Sequence, residues 1–162
     1  MIFRAGVDLN SILKKLKDLL DAGCTVAVCG KDGRIVTDTD KGIRPLIKLI
    51  DGGEDLRGCS AADRIVGKAA ALMYVLLGAR EVYADVLAEK ALEILRCNGI
   101  DAYYGELAPV IINRRGDSPC PMEIAVADTD DPEEAYSAVK ACLLRLSEKN
   151  ILKKRTPLDP TA

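Results

Sequence analysis

The sequence predicts an α/β domain in which helices cover a mixed, partly parallel β-sheet. Segments with apolar residues at helical spacing alternate along the 162-residue chain with short apolar runs that are typical of strands. In the second half the order is strand, helix, strand, which requires crossover connections between parallel strands. An Asp-Gly turn at 32–33 also predicts an antiparallel hairpin, so the sheet is expected to be mixed.

The first predicted elements are a helix, a hairpin and a short second helix. The first helix is amphipathic, and either Asp8 or Asn10 caps it. The hairpin pairs strands 25–29 and 34–37, and the second helix spans 44–50. The apolar face of the first helix consists of Leu9, Ile12, Leu13, Leu16, Leu19 and Leu20.

The stretch 60–77 is predicted to be one central helix, because it is apolar on nearly every side and such helices are buried. Ser60 is placed to cap it, and Asp63 falls three residues later. Gly67 is then a mid-helix glycine, which costs about 1 kcal/mol relative to alanine and indicates a close approach of backbone or ligand. Asp63 and Lys68 either cap the helix and extend to water, or line a site.

The alternation continues after the central helix. The pattern predicts a strand at 81–84, a helix at 86–97 and a strand at 100–104. The apolar run 110–112 is either a last strand or a buried loop.

The C-terminal part is predicted to contain two more helices and a tail. A short helix opens at 119–123, and a longer one begins at Asp131, where an aspartate, a proline and two acids favour a helix start. Without an internal repeat or a linker, residues 1–148 are expected to form one domain and 149–162 a frayed tail. The buried stripe of the long helix is predicted to contain Ala135, Val139, Cys142, Leu143 and Leu146.

The composition excludes several classes of function. The chain has no histidine, which rules out histidine acid–base catalysis and histidine-ligated zinc. Its net charge is −2 and aromatic residues are few, so we expect no nucleic-acid partner. The six cysteines contain no Cys-x-x-Cys pair and fit reduced thiols. Because we find neither a signal peptide nor a membrane span, we expect a cytoplasmic protein without a membrane partner.

Cys120 is a candidate reactive thiol. It opens a predicted short helix, where unpaired N–H groups and the helix dipole favour a thiolate. The alternative is a small core residue beneath the turn, with Glu123 completing a helix cap. Arg114, upstream, either contacts a phosphate or carboxylate of a ligand or is a solvated surface side chain.

Five short motifs follow one another in a specific order along the chain. They are Ala62-Asp-Arg-Ile-Val-Gly-Lys-Ala-Ala-Ala71, Glu81-Val-Tyr-Ala84, Glu89-Lys-Ala-Leu92, Tyr104-Gly-Glu106 and Cys120-Pro-Met-Glu123. In this order they resemble a prokaryotic family of unknown function with the cytidine-deaminase-like fold. The resemblance covers about residues 23–146 and implies three layers, α-β-α, around the mixed sheet. It also implies a homo-oligomer, because proteins of this fold commonly assemble.

The resemblance does not extend to zinc chemistry. Zinc deaminases carry His or Cys and a catalytic Glu at the start of the central helix, and Pro-Cys-x-x-Cys at the start of the next helix. Here these places read Ala61-Ala-Asp63 and Ala84-Asp-Val-Leu-Ala-Glu89, without a histidine or cysteine. We therefore expect no metal and no other cofactor.

The resemblance places a nucleoside pocket at the start of the central helix, and so implies that Asp63 points into it. As catalytic candidates we take Asp63 as acid–base or nucleophile, Lys68 as its charge partner and Cys120 as thiolate. The candidate ligand-binding residues are Asp63, Gly67, Lys68, Arg114 and Glu123.

Three functions fit these observations. The first is a zinc-free deaminase-fold protein that binds a nucleotide-like or ADP-ribose-like small molecule near Asp63 and Lys68. The second is a thiol- or carboxylate-dependent enzyme that uses Cys120 with Asp63 and Lys68. The third is a non-catalytic, oligomeric regulatory subunit whose apolar central helix completes an oligomer core.

Overall fold

A five-stranded mixed sheet forms the centre of the chain in the computed structural model, which describes residues 9–155. Its strands are β1 (Val26–Cys29), β2 (Ile35–Asp38), β3 (Ser60–Val66), β4 (Glu81–Ala88) and β5 (Asp101–Ala108). Their order across the sheet is β2-β1-β3-β4-β5. Strand β1 is antiparallel to β2 and β3, whereas β3, β4 and β5 are parallel. The predicted mixed sheet and its hairpin are therefore confirmed.

Helices cover both faces of this sheet, which confirms the three-layer α-β-α prediction. Helix α1 packs on one face, where Leu13, Leu16 and Leu20 contact Ala62 and Tyr83. The other helices share the core on the opposite face, where β3, β4 and the first half of β5 contribute small or aliphatic side chains. The helices are α1 (Ser11–Asp21), α2 (Arg44–Asp51), α3 (Lys68–Leu77), α4 (Glu89–Cys97), α5 (Pro121–Ala125) and α6 (Pro132–Arg155).

A polar cluster around the buried Glu81 fixes α1 to the sheet. Asn10 is the N-cap of α1 and accepts a hydrogen bond from the backbone N–H of Leu13 at 2.9 Å. Its side-chain amide also donates to both carboxylate oxygens of the buried Glu81, at 2.9 and 3.1 Å. Ser60 donates to the same carboxylate at 2.6 Å. Glu81 is thus buried with its hydrogen bonds satisfied, and α1 is tied to both β3 and β4.

The other end of α1 is tied to β3 by Arg64. The Arg64 guanidinium donates to the backbone carbonyl of Leu20 at 2.8 Å and to that of Cys24 at 3.0 Å. The last carbonyls of a helix have no partner within the helix, and a cation opposes their negative dipole end. Arg64 therefore stabilises the C-terminal end of α1 and its position on the sheet.

The structure corrects the predicted central helix, because residues 60–66 form strand β3 and the helix begins only at Lys68. Strand β3 lies between β1 and β4. Its residues 60–63 are buried on both faces, whereas Arg64 and Ile65 are exposed, so the strand does not alternate apolar and polar residues. Its first half also lacks the β-branched residues that favour strands. Ser60 is therefore not a helix cap, and Gly67 precedes α3 instead of interrupting it.

Three further boundaries differ from the prediction. Strand β4 continues to Ala88, so α4 begins at Glu89 and not at residue 86. Strand β5 continues to Ala108, because β4 supplies backbone partners along this whole length. The run 110–112 is a loop with one isolated bridge, between Ile112 and Pro119.

Helix α6 continues to Arg155, so residues 149–155 are helical where a frayed tail was predicted. Residues 156–162 and Asp8, the alternative cap of the first helix, lie outside the described residues. The single domain at 1–148 stays a prediction. No helix between Leu9 and Arg155 is long and apolar enough to cross a bilayer.

Replacement of Asn10 should destabilise the fold through two separable losses. Asn10→Ala removes the helix cap and the amide bound to Glu81, and we expect a loss of about 1–2 kcal/mol in the free energy of unfolding. Asn10→Ser keeps a cap acceptor and loses only the Glu81 contact, so its loss should be intermediate. Urea unfolding of both variants measures the difference. Equal losses for Asn10→Ala and Asn10→Ser would contradict the two-part role of Asn10. As a control, Asn150→Ala, at an exposed position on α6, should change the free energy of unfolding by no more than about 0.5 kcal/mol.

Candidate functional site

The amino end of α3 lies at the edge of the sheet where the parallel strands end. Gly67 directly follows β3 and is the N-cap of α3, with φ −94° and ψ −174°. In open α/β sheets, ligands bind outside the carboxyl ends of the parallel strands. Helix N-termini there also present free backbone N–H groups and the positive end of the helix dipole. This edge is therefore the candidate site.

A carboxylate of the chain itself occupies this helix end. Glu123, on α5, accepts hydrogen bonds from the backbone N–H of Lys68 at 2.9 Å and of Ala69 at 3.1 Å. Gly67 allows this approach, since a Cβ atom at that position would overlap the Glu123 carboxylate. The backbone at Gly67 is extended, a conformation that any residue adopts. Position 67 therefore requires glycine because of the nearby Glu123 carboxylate and not because of its dihedral angles.

The side chain of Lys68 fastens the segment after α5 to the same place. Lys68 is 7% exposed, and its Nζ donates to the carbonyl of Ala127 at 3.2 Å and to Asp130 at 2.9 Å. The hydrogen bond from Lys68 holds the pKa of Asp130 below its usual value. With the two bonds of Glu123, four polar contacts join α3 to α5 and to the loop that follows it.

Asp63 is a buried carboxyl group in β3. It is 6% exposed and accepts a hydrogen bond from the hydroxyl of Tyr74, on α3, at 2.8 Å. Burial raises the pKa of Asp63 to about 7, although Tyr74 and the backbone at Ile65 and Arg64 favour its charged form. Burial, followed by the charge of Asp63, also raises the pKa of Tyr74 well above its usual value.

The structure therefore divides the predicted site residues. Gly67, Lys68 and Glu123 meet at the amino end of α3, whereas Asp63 is bonded to Tyr74 inside the core. The predicted placement of Asp63 on the central helix is wrong, because Asp63 belongs to a strand. The Lys68 amine is bonded to Asp130, and no hydrogen bond joins it to Asp63 within residues 9–155.

Cys120 and Arg114 lie on the segment that leads into α5. Cys120 is the N-cap residue of this five-residue helix and packs, half-buried, against the core. Arg114 is exposed in a turn, and its guanidinium has no hydrogen bond or ion pair with any residue between Leu9 and Arg155. Asn113 stabilises that turn through hydrogen bonds to Asp117 and Ser118, both at 2.8 Å.

The residues at this edge do not fit a deaminase zinc ion. The amino end of α3 offers Gly67, Lys68 and Ala69, none of which supplies the thiolate or imidazole that zinc prefers. Nowhere in the described part of the chain do three or more His, Cys, Asp or Glu side chains form a group that could hold a metal.

Two shallow surface clefts of the described chain lie elsewhere. One, of about 220 Å³, is formed by β1, β2 and α2 and includes Asp38 and Lys48. The other, of about 320 Å³, is lined by Lys31, Asp32, Asp55 and Arg57. At the amino end of α3, Glu123 of α5 already binds the backbone N–H groups of Lys68 and Ala69, so a ligand there would have to displace it.

Two residues of this region, Tyr74 and Asp130, were not predicted from the sequence. Tyr74 falls within an apolar helix, and nothing in its spacing showed that its hydroxyl would meet Asp63, eleven residues earlier. Asp130 stands beside a helix start, where acids are common, so its pairing with Lys68 had no local signal.

Asp63 should make stability depend on pH. The carboxyl group titrates near 3.9 in the unfolded chain and near 7 when folded, so the folded state holds a proton that the unfolded state has lost between these values. The free energy of unfolding should therefore fall as pH rises from about 4 to about 7, by at most about 1.4 kcal/mol per pH unit, and level off above. Asp63→Asn removes this titratable group and should flatten the dependence of the free energy of unfolding on pH.

Urea unfolding at a series of pH values, with the variant compared to the parent chain, isolates this contribution. Asp128→Asn, at an exposed position, is the control and should keep the parent profile. Parallel profiles for the parent chain and Asp63→Asn would contradict the assignment.

Gly67→Ala should displace the Glu123 carboxylate from α3. We expect a loss of about 1–2 kcal/mol, the usual value of a helix cap. Glu123→Gln should lose a similar amount, and the double variant should lose less than the sum, because both changes break one contact. Strictly additive losses in thermal or urea unfolding would contradict this coupling. Asp18→Asn, at an exposed position on α1, is the charge-removing control.

Comparison with solved structures includes a strong likeness. A DUF1893 family protein from Thermotoga maritima is 27% identical, with a TM-score of 0.72 over 87% of this chain and 93% of that one. A diaminohydroxyphosphoribosylaminopyrimidine deaminase/5-amino-6-(5-phosphoribosylamino)uracil reductase from the same organism is 20% identical, with a TM-score of 0.37 over 57% of this chain and 35% of that one. The similarity to a deaminase-fold protein is thus weak.

Comparison of sequences points the same way. No curated protein matches the chain. The model of a domain of unknown function, DUF1893, matches residues 15–143, which include the sheet, helices α2 to α5 and the amino end of α3 with Glu123. The chain therefore belongs to the DUF1893 family.

Proposed function

We propose that this protein binds a small anionic molecule, nucleotide-like or ADP-ribose-like, at the amino end of α3. The observation that carries the proposal is the Glu123 carboxylate, which accepts from two backbone N–H groups beside the buried amine of Lys68. A phosphate presents the same kind of oxygen acceptor with more charge, and helix N-termini commonly bind it. Glu123 thus stands where a ligand phosphate would bind.

The position of this helix end supports the same ligand class. It lies at the carboxyl edge of three parallel strands, which is the usual ligand edge of open α/β sheets. The nucleotide-like part of the proposal rests on analogy of fold, which is a weaker argument than the carboxylate contact.

The proposed binding requires Glu123 and α5 to move. Helix α5 has five residues, and only Met122 of it is buried. Glu123 links α5 to α3 through two hydrogen bonds, in which a ligand phosphate can replace the carboxylate as acceptor. Lys68 binds the loop after α5, through Ala127 and Asp130, and its amine can pair with the phosphate instead. Ligand and Glu123 therefore compete for the same two N–H groups.

The enzyme hypothesis has less support from the geometry. Asp63 is 6% exposed and hydrogen-bonded to Tyr74, so a substrate cannot reach it without opening the core. Lys68 is paired with Asp130 and not with a nucleophile. The regulatory-subunit hypothesis requires an oligomer contact other than α3, because α3 is already buried within its own chain.

Binding assays on matched variants test the proposal. Equilibrium dialysis and thermal shift should detect ADP-ribose or AMP, with adenosine as the uncharged comparison. Glu123→Gln should bind about tenfold more tightly, because a charged competitor worth roughly 1.5 kcal/mol is removed. Lys68→Met should abolish binding, and Glu133→Gln should leave it unchanged.

Two outcomes would overturn the proposal. One is a failure of both phosphate compounds to bind Glu123→Gln while that variant remains folded. The other is binding that Lys68→Met leaves intact, because the ligand would then occupy a different place.

A further inference from the structure

Helix α6 presents an apolar surface that its own chain leaves open. Its buried residues are Ala135, Val139 and Cys142, all in the first half of the 24-residue helix. In the second half, Leu144 is 63% exposed and Ile151 is 50% exposed. These two side chains are seven residues apart, so they lie two turns apart on one face.

The charges of α6 divide along its length. Its first turn carries Glu133 and Glu134, and its last turn carries Lys153, Lys154 and Arg155. This placement also suits the dipole of an isolated helix, so the charges alone do not indicate a partner. Their combination with Leu144, an exposed apolar side chain at the middle of the helix, does.

A second copy of α6 in antiparallel orientation matches this pattern. The midpoint of Pro132–Arg155 falls between Leu143 and Leu144, so a two-fold axis there brings the two Leu144 side chains together. The acidic first turn of each helix then lies beside the basic last turn of the other. The charges are complementary at both ends, and the two helix dipoles oppose each other.

We propose that α6 is a self-association surface at which a second copy of this chain packs antiparallel, with Leu144 at the two-fold axis. This proposal is independent of ligand binding. The apolar area is small and the terminal ion pairs are exposed, so the dimer should be weak and should dissociate further at high salt.

Sedimentation velocity over a concentration series tests the surface. The parent chain should show a concentration-dependent dimer, with the dimer fraction lower at high salt. Leu144→Asp should weaken it at least about tenfold, because it places two carboxylates at the axis. Val110→Asp is the matched control, since Val110 is 58% exposed in the loop after β5 and should leave the dimer unchanged. Circular dichroism verifies that each variant is folded.

Exchange of charges tests the orientation. Glu133→Lys and Arg155→Glu should each weaken the dimer, because each places like charges opposite each other. The double variant Glu133→Lys/Arg155→Glu should restore it, since an opposite pair is formed again. A monomer at every concentration, or a dimer that Leu144→Asp leaves intact, would overturn the surface. A double variant as weak as the single ones would overturn the antiparallel arrangement.

Discussion

The burial of residues 60–63 of strand β3 on both faces is the constraint on which the rest of the structure depends. The strand lies between β1 and β4, with α1 on one face and α3 on the other. Its fully buried residues Ala61 and Ala62 are small, which lets both helices pack closely. Because β3 has no solvent-facing side at this point, the polar groups it carries need partners inside the protein. Tyr74 meets this need for Asp63, and Glu81 meets it for Ser60.

These internal partners explain how elements distant in sequence are held together. Asn10 and Arg64 bind the two ends of α1 to the sheet, and Tyr74 binds α3 to β3. Glu123 binds α5 to α3 through backbone N–H groups that would otherwise lack a partner. Each contact satisfies a buried polar group or a helix end, so each contributes to position as well as to stability.

The chemistry of the amino end of α3 follows from the same rule. A helix that begins at the carboxyl edge of parallel strands presents N–H groups and a positive dipole end, and these attract an anion. In this chain Glu123 supplies the anion, and Lys68 and Asp130 fix the neighbouring loop. A DUF1893 relative shares the fold, whereas thiolate and imidazole ligands for zinc are missing at this helix end.

The sequence alone determined those elements that have a polar face or a characteristic turn. Helix α1 and the start of α6 were predictable because one face of each is polar and local caps mark their ends. The β1–β2 hairpin was predictable from its Asp-Gly turn, although β1 is buried throughout. Only the tertiary structure decided that residues 60–66 are a strand, because burial of residues 60–63 on both faces removes the periodicity from which a strand is recognised. It also decided which polar groups meet. Asp63 and Tyr74 are eleven residues apart and Lys68 and Glu123 fifty-five, and contacts over such separations arise from the packing of whole elements.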